Sequence, residues 1–436
     1  MLTQRLQTTI LHWLRRGALF AVAALALGVA ACGGGGGSSS SSSGNNTSGG
    51  VDTSSLPPLP SQQPIAATAP NTVPVTVNGG VAGVPNIPTV SVTVCVSGTS
   101  TCTTVNNVQL DTGSFGLRLV ASALPASFTS ALPVSTAASG GTLAECTAFA
   151  DGYTWGTVRT ADVKIGGETA SRIPIQFIGD LASATVPQAC SNIGAAQNTA
   201  SDLGANGILG IGVALWDCGP SCANSAANSN YYSCPSGANC TSTTVATSLQ
   251  VANPVASFAA DNNGVILQMA PVSYNGAASA TGTLVFGIGT ESNNTLSASH
   301  RFQTTQWGDL SAAFNGATLT SFLDSGSNAL FFNDSALPQC GGSLGTFYCP
   351  SVPQSLSAAL TGVDGSSGAA TFAVVSAATL LGSGGNNGNF ALNDLGGQFG
   401  SSADLDLGLP FFYGRYVYFG LNTAANGGSQ APYVAF

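Results

Sequence analysis

The chain has 436 residues, of which 44% are hydrophobic and only 6% are charged, against roughly 25% charged residues in an average protein. It carries 18 acidic and 9 basic residues, for a net charge of −9. Because nucleic-acid binding requires clusters of Lys and Arg, this composition excludes it. Disordered chains need high charge and few apolar residues, so the composition predicts a folded chain. The length allows one large domain or two.

The first 31 residues are predicted to be a targeting segment. An apolar run over 17–31 follows a basic head made of Arg5, His12, Arg15 and Arg16. The run is shorter than the roughly 20 residues of a membrane span, and the charge-then-apolar order is that of a secretory signal peptide. The sequence Val-Ala-Ala-Cys at 29–32 resembles the cleavage box of bacterial lipoproteins. We therefore expect Cys32 to become the lipidated first residue, with an ordinary signal peptide as the alternative.

Residues 32–72 begin with the lipidated Cys32 and continue as a low-complexity run of Gly and Ser, then Asn, Thr and Pro. Such composition predicts a flexible tether. A lipid on Cys32 would join the protein to a membrane of the bacterial cell envelope. The residue after Cys32 favours the outer membrane, facing the periplasm or the cell surface.

From residue 73 onward the sequence has short runs typical of β-strands. Residues 89–95 alternate with period two, and 158–165, 284–287 and 318–323 are similar. Turn signals separate the runs, for example Asn315-Gly316. Short helices are expected near 254–260 and 352–360. The pattern predicts an all-β chain with many hairpins.

Two segments, 213 residues apart, share one pattern: an apolar strand, then Asp, a hydroxyl residue, Gly, a second hydroxyl residue, and apolar residues again. If the two turns meet, their carboxylates lie side by side and share a proton. Such a pair can deprotonate a water while protonating a carbonyl oxygen. The turns are Asp111-Thr112-Gly113-Ser114 and Asp324-Ser325-Gly326-Ser327.

The cysteine count of 11 becomes even once Cys32 is assigned to lipid. In an oxidising compartment the other ten can form five disulfides. Close spacing predicts Cys95 with Cys102 and Cys340 with Cys349, and elimination then suggests Cys146 with Cys190. The sequence leaves three ways to pair the remaining four cysteines, and a zinc site is the alternative. These four are Cys218, Cys222, Cys234 and Cys240.

Beyond the two Asp turns, the segments 202–212, 282–289 and 407–419 resemble, in chain order, the conserved strands of the pepsin-like aspartic peptidases. The resemblance covers about 75–436. It implies an all-β bilobal fold with a cleft between an N-terminal lobe at 73–270 and a C-terminal lobe at 271–436. It also implies that Asp111 and Asp324 form the catalytic dyad, that the hydroxyl residues support them, and that no metal or cofactor is needed. The lipoprotein form further resembles a proteobacterial lipoprotein family of unknown function.

The sequence departs from that family at several positions. Arg118 stands where Trp is usual; it could meet a ligand carboxylate or Asp151, or lie in a buried ion pair. The flap hairpin is expected at 149–156, with Phe149 at the position of the flap Tyr. Tyr153 and Trp155 are the other aromatic candidates for the flap or cleft. An apolar position before the glycine of the last segment is taken by Asp406.

Three further patterns are weaker candidates for sites. Gly-x-Ser-x-Gly at 341–345 matches a serine-hydrolase elbow, but no apolar strand precedes it and His300 would have to be the base. Asp404 and Asp406 could bind Ca²⁺, but no ligand loop surrounds them. A site built from several histidines is excluded by their number.

The main hypothesis is a lipid-anchored aspartic endopeptidase that activates water between Asp111 and Asp324 to hydrolyse a peptide or protein substrate. The alternative is a pepsin-like scaffold with reduced catalysis that serves as a binding protein of the cell envelope. A third possibility is a surface β protein such as an adhesin, in which the two Asp turns lie far apart.

Overall fold

The computed structural model describes residues 51–382, 387–398 and 403–436; Cys32 and the signal segment lie outside them. Their strands are β1 Thr72–Val77, β2 Pro88–Cys95, β3 Cys102–Asp111, β4 Phe115–Val120, β5 Thr142–Ala148, β6 Gly152–Ile165, β7 Glu168–Ile178, β8 Ala195–Ala196, β9 Gly207–Ile211, β10 Tyr231–Cys234, β11 Thr241–Ser242, β12 Gly264–Met269, β13 Ala280–Phe286, β14 Arg301–Gln303, β15 Leu310–Phe314, β16 Ala317–Asp324, β17 Leu330–Phe331, β18 Gln354–Thr361, β19 Ser367–Val374, β20 Gly396–Gly397, β21 Asp404–Gly408, β22 Tyr416–Gly420 and β23 Tyr433–Ala435.

Helices in the described residues are short. The α-helices are Ala126–Ala131, Gln188–Ser191, Ala200–Leu203, Pro220–Asn224 and Ala377–Leu381, and the 3₁₀ turns are Ala121–Ala123, Ser183–Thr185, Ala226–Asn228, Pro235–Gly237, Thr247–Leu249, Pro254–Ser257, Gly342–Leu344, Leu409–Phe412 and Thr423–Asn426. The predicted all-β fold is confirmed. No helix within these ranges is long and apolar enough to cross a bilayer.

The strands form two sheets in the described part of the chain. A 16-stranded sheet has the order β11-β10-β5-β6-β7-β4-β9-β3-β2-β1-β13-β12-β22-β23-β14, with β8 paired to β6. A 7-stranded sheet has the order β19-β18-β15-β16-β21-β17-β20. One Asp turn leaves β3 in the first sheet and the other leaves β16 in the second. Strand β1 pairs with β13, so the larger sheet joins both parts of the chain. The lobe boundary at residue 270 stays a prediction.

Each Asp turn is built by the same three-strand arrangement. In the first, β9 runs parallel to β3 and antiparallel to β4, which places Asp111 opposite Gly210. In the second, β21 runs parallel to β16 and antiparallel to β17, which places Asp324 opposite Gly408. The third strand therefore passes between the strand that delivers the Asp and the strand that leaves the turn. This repeat makes corresponding positions in the two halves directly comparable.

The strand patterns follow the expected chemistry. In β2, Val90, Val92 and Val94 point into the core while Ser91 is exposed, as period two requires. Between β15 and β16, Asn315 and Gly316 both have positive φ, of 49° and 76°. A two-residue hairpin turn of this kind matches the twist of its strands and favours Asn-Gly.

Of the two expected helices, the one near 254–260 is a 3₁₀ turn at Pro254–Ser257, in which the Asn253 side chain accepts from the Val255 N–H. The helix expected near 352–360 is wrong. Most of that segment is the strand β18, which pairs along its whole length with β19. Pairing with a neighbouring strand overrides a weak helical pattern, because Ala and Leu fit either state.

Residues 51–71 differ from the flexible tether predicted for this range. The Gln62 N–H donates to the Gly414 carbonyl at 3.0 Å, and the Ile65 N–H donates to the Gln268 side chain at 2.9 Å. The Tyr274 hydroxyl donates to the Pro57 carbonyl at 2.7 Å. The segment thus lies against the body of the protein before β1 begins. Backbone groups of Pro57, Gln62 and Ile65 make these three bonds.

Five disulfides are present, and the three predicted pairs Cys95–Cys102, Cys146–Cys190 and Cys340–Cys349 are confirmed. The open pairing is local: Cys218–Cys222 and Cys234–Cys240. All ten cysteines are therefore oxidised, and the alternative of a zinc site at the last four is wrong.

Candidate active site

The two Asp turns lie face to face. A Cβ added to Gly113 would fall 2.5 Å from Cγ of Asp324, and a Cβ added to Gly326 would fall 2.7 Å from Oδ1 of Asp111. The two carboxyl groups are within hydrogen-bonding reach of each other. The third possibility raised by the sequence, with the turns far apart, is therefore wrong.

Reciprocal hydrogen bonds join the second residues of the turns. Thr112 Oγ1 donates to the Leu323 carbonyl at 3.1 Å and accepts from the Ser325 N–H at 2.9 Å. Ser325 Oγ donates to the Leu110 carbonyl at 2.7 Å and accepts from the Thr112 N–H at 3.2 Å. Both side chains are buried. Four buried bonds therefore fix the two turns relative to each other, which explains why a hydroxyl residue follows each Asp.

Each carboxyl accepts two local hydrogen bonds. Asp111 accepts from the Gly113 N–H at 2.8 Å and from the Ser114 hydroxyl. These donors orient the carboxyl group and complement a negative charge on it.

Asp324 has the equivalent partners. It accepts from the Gly326 N–H at 2.7 Å and from Ser327 Oγ at 3.1 Å. All six residues predicted to support the pair are thus brought together at it. Sequence reasoning missed Gln109, whose side-chain amide donates to the Gly326 carbonyl at 2.8 Å; a polar residue within an apolar strand was the available signal.

The pKa of Asp324 is raised well above its usual value. Removal from water is the largest cause, followed by the negative charge of Asp111 and the hydrogen bond between the two carboxyls. Two acidic groups this close cannot both ionise easily, so one proton is retained between them.

Asp406 lies directly behind the second turn. It is 1% exposed and sits two residues before Gly408 on β21. Burial, followed by the charge of Asp324, raises its pKa well above the usual value. Its Oδ1 has no hydrogen-bond partner in the described residues.

Arg118 lies in a buried ion-pair network and does not pair with Asp151. It is 1% exposed; its guanidinium contacts Glu145 at 2.7 Å and Asp217 at 3.2 Å. It also donates to the Thr147 hydroxyl at 2.9 Å and the Phe115 carbonyl at 2.8 Å. The structure thus selects the buried ion pair from the roles considered for Arg118, with a partner on strand β5.

The carboxyls of this network differ in their titration. Arg118 and hydrogen bonds lower the pKa of Glu145 against the effect of burial. Burial and the charge of Glu145 raise the pKa of Asp217 well above the usual range. Tyr231 Oη donates to Asp217 at 2.6 Å and accepts from the Val251 N–H. Sequence reasoning missed Glu145, although it is one of three Glu in the chain.

The segment predicted as a flap lies at the hairpin between β5 and β6. Its aromatic residues differ in position, and its role as a flap stays a prediction. Phe149 is half-buried at the turn, where its N–H donates to the Gly152 carbonyl at 2.8 Å. Trp155 is fully buried, packs edge-on against Tyr232, and donates from Nε1 to Thr185. Tyr153 is buried in the same cluster. Neither of these two side chains stands at the hairpin tip, which leaves Phe149 as the aromatic residue there.

A disulfide and a short parallel strand connect this hairpin to the segment that follows β7. Cys146 of β5 is disulfide-bonded to Cys190. The short strand β8 pairs in parallel with the beginning of β6, at Gly152 and Tyr153. The Gln197 N–H then donates to the Tyr153 carbonyl at 2.8 Å. These contacts hold the hairpin near its turn.

The weaker candidates remain separate features. Ser343 lies in a one-turn helix inside the loop closed by Cys340–Cys349. His300 packs against the rings of Phe302 and Phe436. Among the described residues no group of three His, Cys, Asp or Glu is arranged to hold a metal ion.

Comparison with known proteins gives three findings. The crystal structure of the aspartic proteinase from Irpex lacteus is similar at 16% sequence identity and a TM-score of 0.45, covering 84% of this chain and 96% of that one. A comparison with curated proteins returned no significant match. The family described as "Protein of unknown function (DUF3443)" matches residues 67–436, so the chain belongs to that family.

Proposed function

We propose that this protein is an aspartic endopeptidase, exported and anchored by lipid, that hydrolyses peptide bonds with water. One observation carries the proposal: Asp111 and Asp324 lie in matched turns, within hydrogen-bonding reach of each other, at the point where the two sheets meet. An ion pair that serves only stability joins opposite charges. Two carboxyls held side by side must instead retain a proton, and a pair of this kind can donate and accept protons in catalysis.

The proposed reaction uses the two carboxyls in different states. Asp111 accepts a proton from a water molecule as the water oxygen forms a bond to the peptide carbonyl carbon. Asp324 donates its proton to the carbonyl oxygen, which gives a neutral gem-diol. The C–N bond then breaks as a diol proton returns to Asp324 and the proton on Asp111 passes to the leaving amine. The enzyme returns to its starting state, and no covalent enzyme intermediate forms.

The pH dependence follows from the retained proton. Activity requires that the pair retains one proton, which Asp324 holds in the proposed reaction. Because the pKa of Asp324 is raised, the alkaline limb of the profile should lie well above pH 4. Activity should be greatest in the acidic range and fall as Asp324 loses its proton.

The test is cleavage of an unfolded protein by the full chain in detergent, between pH 3 and pH 7, with and without pepstatin. Wild type should cleave, and pepstatin should inhibit it. Asp324→Asn removes the proton donor and should reduce the rate by about 10³-fold or more, the order found when essential catalytic groups are removed.

Asp334→Asn is the matched control. It removes one carboxylate from the same half of the chain, at a side chain bonded to Asn315 and not to the dyad, and should retain the wild-type rate. Absence of cleavage across the range, or equal rates in wild type and Asp324→Asn, would refute the proposal.

The anchoring is a separate part of the proposal and rests on the sequence at 29–32. A lipid on Cys32 would hold the protein at a bacterial cell-envelope membrane, by expectation the outer one. Cys32→Ser should release the protein from the membrane fraction and abolish incorporation of labelled palmitate. Membrane retention without label would point instead to an uncleaved signal segment.

A second candidate is a cell-envelope binding protein that uses the cleft without efficient catalysis. The restrained flap favours it, because a hairpin fixed by Cys146–Cys190 and by β8 has less freedom to close over a substrate. In that case a peptide ligand identified from a library should bind equally to wild type and to the Asp111→Asn, Asp324→Asn double variant. Loss of binding in the folded double variant would count against it.

A further inference from the structure

Gln109 lies on the strand that delivers Asp111, two residues before it. Residues two apart in a strand share one face, so the side chains of Gln109 and Asp111 leave β3 on the same side. On that side the Gln109 side-chain amide donates to the Gly326 carbonyl of the second turn at 2.8 Å. One strand therefore carries a carboxyl of the pair and also a side chain that holds the turn around the other carboxyl.

Gly326 lies directly against both carboxyls. Its N–H donates to Oδ1 of Asp324 at 2.7 Å. A Cβ added to it would fall 2.7 Å from Oδ1 of Asp111 and 3.0 Å from Oδ1 of Asp324. Because the fit is this close, a small shift of Gly326 changes both the hydrogen bond to Asp324 and the space between the two carboxyls.

Each carbonyl in this part of the turn has its own partner. The Ser327 carbonyl accepts from the backbone N–H that follows β21, at 2.8 Å. The Asn328 carbonyl accepts from the side-chain amide of Asn86, also at 2.8 Å. For the Gly326 carbonyl, the Gln109 amide is the one hydrogen-bond partner that the described part of the chain provides. Loss of that amide would therefore free Gly326 while the residues after it stay held.

The second half has an apolar residue at the equivalent place. On β16 the residue two places before Asp324 is Phe322, whose ring has no amide to donate. The positions correspond, because Gln109 lies opposite Ile208 and Phe322 lies opposite Asp406, each two places before the glycine of its strand. In addition to the reciprocal bonds between the turns, the first half thus holds the turn that carries Asp324.

We propose that Gln109 is a positioning residue for the carboxyl pair: its amide holds Gly326 where the Gly326 N–H donates to Asp324. The catalytic consequence rests on the proposed function, whereas the hydrogen bonds do not. The N–H stabilises the ionised form of Asp324, which arises each time Asp324 gives up its proton. A carbonyl withdrawn from water is costly to leave unpaired. Without the Gln109 amide, Gly326 should therefore shift, and its bond to Asp324 should weaken.

The experiment measures the titration of Asp324 in the full chain in detergent. The chain has 15 aspartates, few enough to resolve by ¹³C NMR after labelling their carboxyl carbons, and the Asp324 signal is the one lost in Asp324→Asn. Gln109→Met keeps the length of the side chain and removes the donor. It should raise the pKa of Asp324 by about half a unit, because the carboxylate loses part of a hydrogen bond.

Cleavage kinetics give a second readout. In Gln109→Met, kcat should fall about tenfold, less than the roughly 10²-fold typical of a 1 Å displacement at the reacting groups. KM should stay within about twofold of the wild-type value. The alkaline limb of the pH profile should move up with the pKa of Asp324. A side chain that only stabilises the fold would lower the unfolding midpoint and leave that pKa and the limb unchanged.

Gln250→Met is the matched control. Gln250 is fully buried, and its side-chain amide donates to the Gly219 and Val245 carbonyls at 2.8 and 2.9 Å. The variant therefore makes the same chemical change at a side chain that bonds to neither Asp turn. It should leave the pKa of Asp324 and kcat at their wild-type values.

Gln109→Glu restores the donor only at acidic pH. Its protonated carboxyl can donate to the Gly326 carbonyl, whereas the ionised carboxylate cannot. At pH 3.5 its cleavage rate should lie close to that of wild type, and the ratio of the two rates should fall as the pH rises to 6. If Gln109→Met does not fold, this ratio still decides the role of the donor.

Three outcomes would overturn the proposal. The first is an unchanged Asp324 pKa together with an unchanged kcat in folded Gln109→Met. The second is a shift of the same size in Gln250→Met, and the third is a constant rate ratio for Gln109→Glu between pH 3.5 and 6. The expected pKa shift in a protein that shows no proteolysis would instead refute the proposed function alone.

Discussion

The two halves of the site repeat one backbone design and differ in where they bury a charge. In the first half, Arg118 on the outer strand lies opposite Ile208. In the second half, Phe331 on the outer strand lies opposite Asp406. The first half therefore has a basic residue on the outer strand, whereas the second half has an acidic residue on the strand that passes between the other two.

The two charges are also compensated differently. Arg118 is paired with Glu145 and Asp217, and so it can stay ionised. Burial, followed by the negative charge of Asp324, raises the pKa of Asp406 well above its usual value, which favours the neutral acid. In the first half a buried ion pair therefore joins β4 to β5, whereas in the second half burial favours the neutral form of the acid on β21.

The largest expected effect comes from breaking the first network. Arg118→Met leaves two buried carboxyls without their cation and should lower the free energy of unfolding by about 3–5 kcal/mol. Denaturant unfolding monitored by tryptophan fluorescence measures it. Arg159→Met is the comparison, because Arg159 pairs with Asp180 at a position that is 13% exposed; its cost should be smaller. A loss below about 1 kcal/mol for Arg118→Met would show that the network contributes little.

A methyl group between the two turns tests their close approach. Gly113→Ala would place Cβ 2.5 Å from Cγ of Asp324, so the dyad must separate. The cleavage rate should fall by about 10²-fold, the usual cost of a displacement near 1 Å. Gly341→Ala, where nothing lies within 4 Å of the added atom, should behave as wild type. Full activity in Gly113→Ala would mean that the turns lie farther apart.

The buried acids make stability depend on pH in an unusual direction. Burial raises the pKa of Asp394 and of Asp406 well above the usual value. The folded state therefore binds more protons than the unfolded state above about pH 3.9. Stability is fully present below that pH and falls as pH rises toward the folded pKa values, by up to about 1.4 kcal/mol per pH unit and group. The lowered pKa of Glu145 acts oppositely, below its usual 4.5.

Thermal unfolding between pH 4 and pH 8 checks this direction. The midpoint should be higher at pH 4.5 than at pH 8, and Asp394→Asn with Asp406→Asn should flatten the profile. A midpoint that rises steadily to pH 8 would contradict the protonation of the buried acids.

The smallest expected effect concerns the segment that lies against the second half. Tyr274→Phe removes the hydrogen bond to the Pro57 carbonyl and should cost about 1 kcal/mol of unfolding free energy. Limited proteolysis should also cleave residues 51–66 sooner. Equal digestion of wild type and variant would show that this bond does not hold the segment.

Much of the site could be predicted from the sequence because each turn is local. Thr112 directly follows Asp111 in the chain, and Ser325 directly follows Asp324. A local pattern that occurs twice can be recognised without a structure. Most disulfides were likewise predictable, because their cysteines are close in sequence.

Long-range partners could not be predicted in the same way. Arg118 and Glu145 are 27 residues apart and meet only because β5 packs near β4, so Asp151 was as good a candidate by sequence. Trp155 looked available for a cleft, yet pairing between β5 and β6 turns it into the core. Asp406 was visible as a polar residue in an apolar segment, but its burial near the second turn depends on the pairing of β21 with β16 and β17.

The most direct test of the central claim is whether the two carboxyls act as one unit. Peptide cleavage at the acidic optimum should be measured for wild type, Asp111→Asn, Asp324→Asn and the double variant. Each single variant should lose about 10³-fold or more, and the double variant should lose no more than the worse single one. A single variant with the wild-type rate, or losses that multiply in the double variant, would contradict a shared-proton dyad.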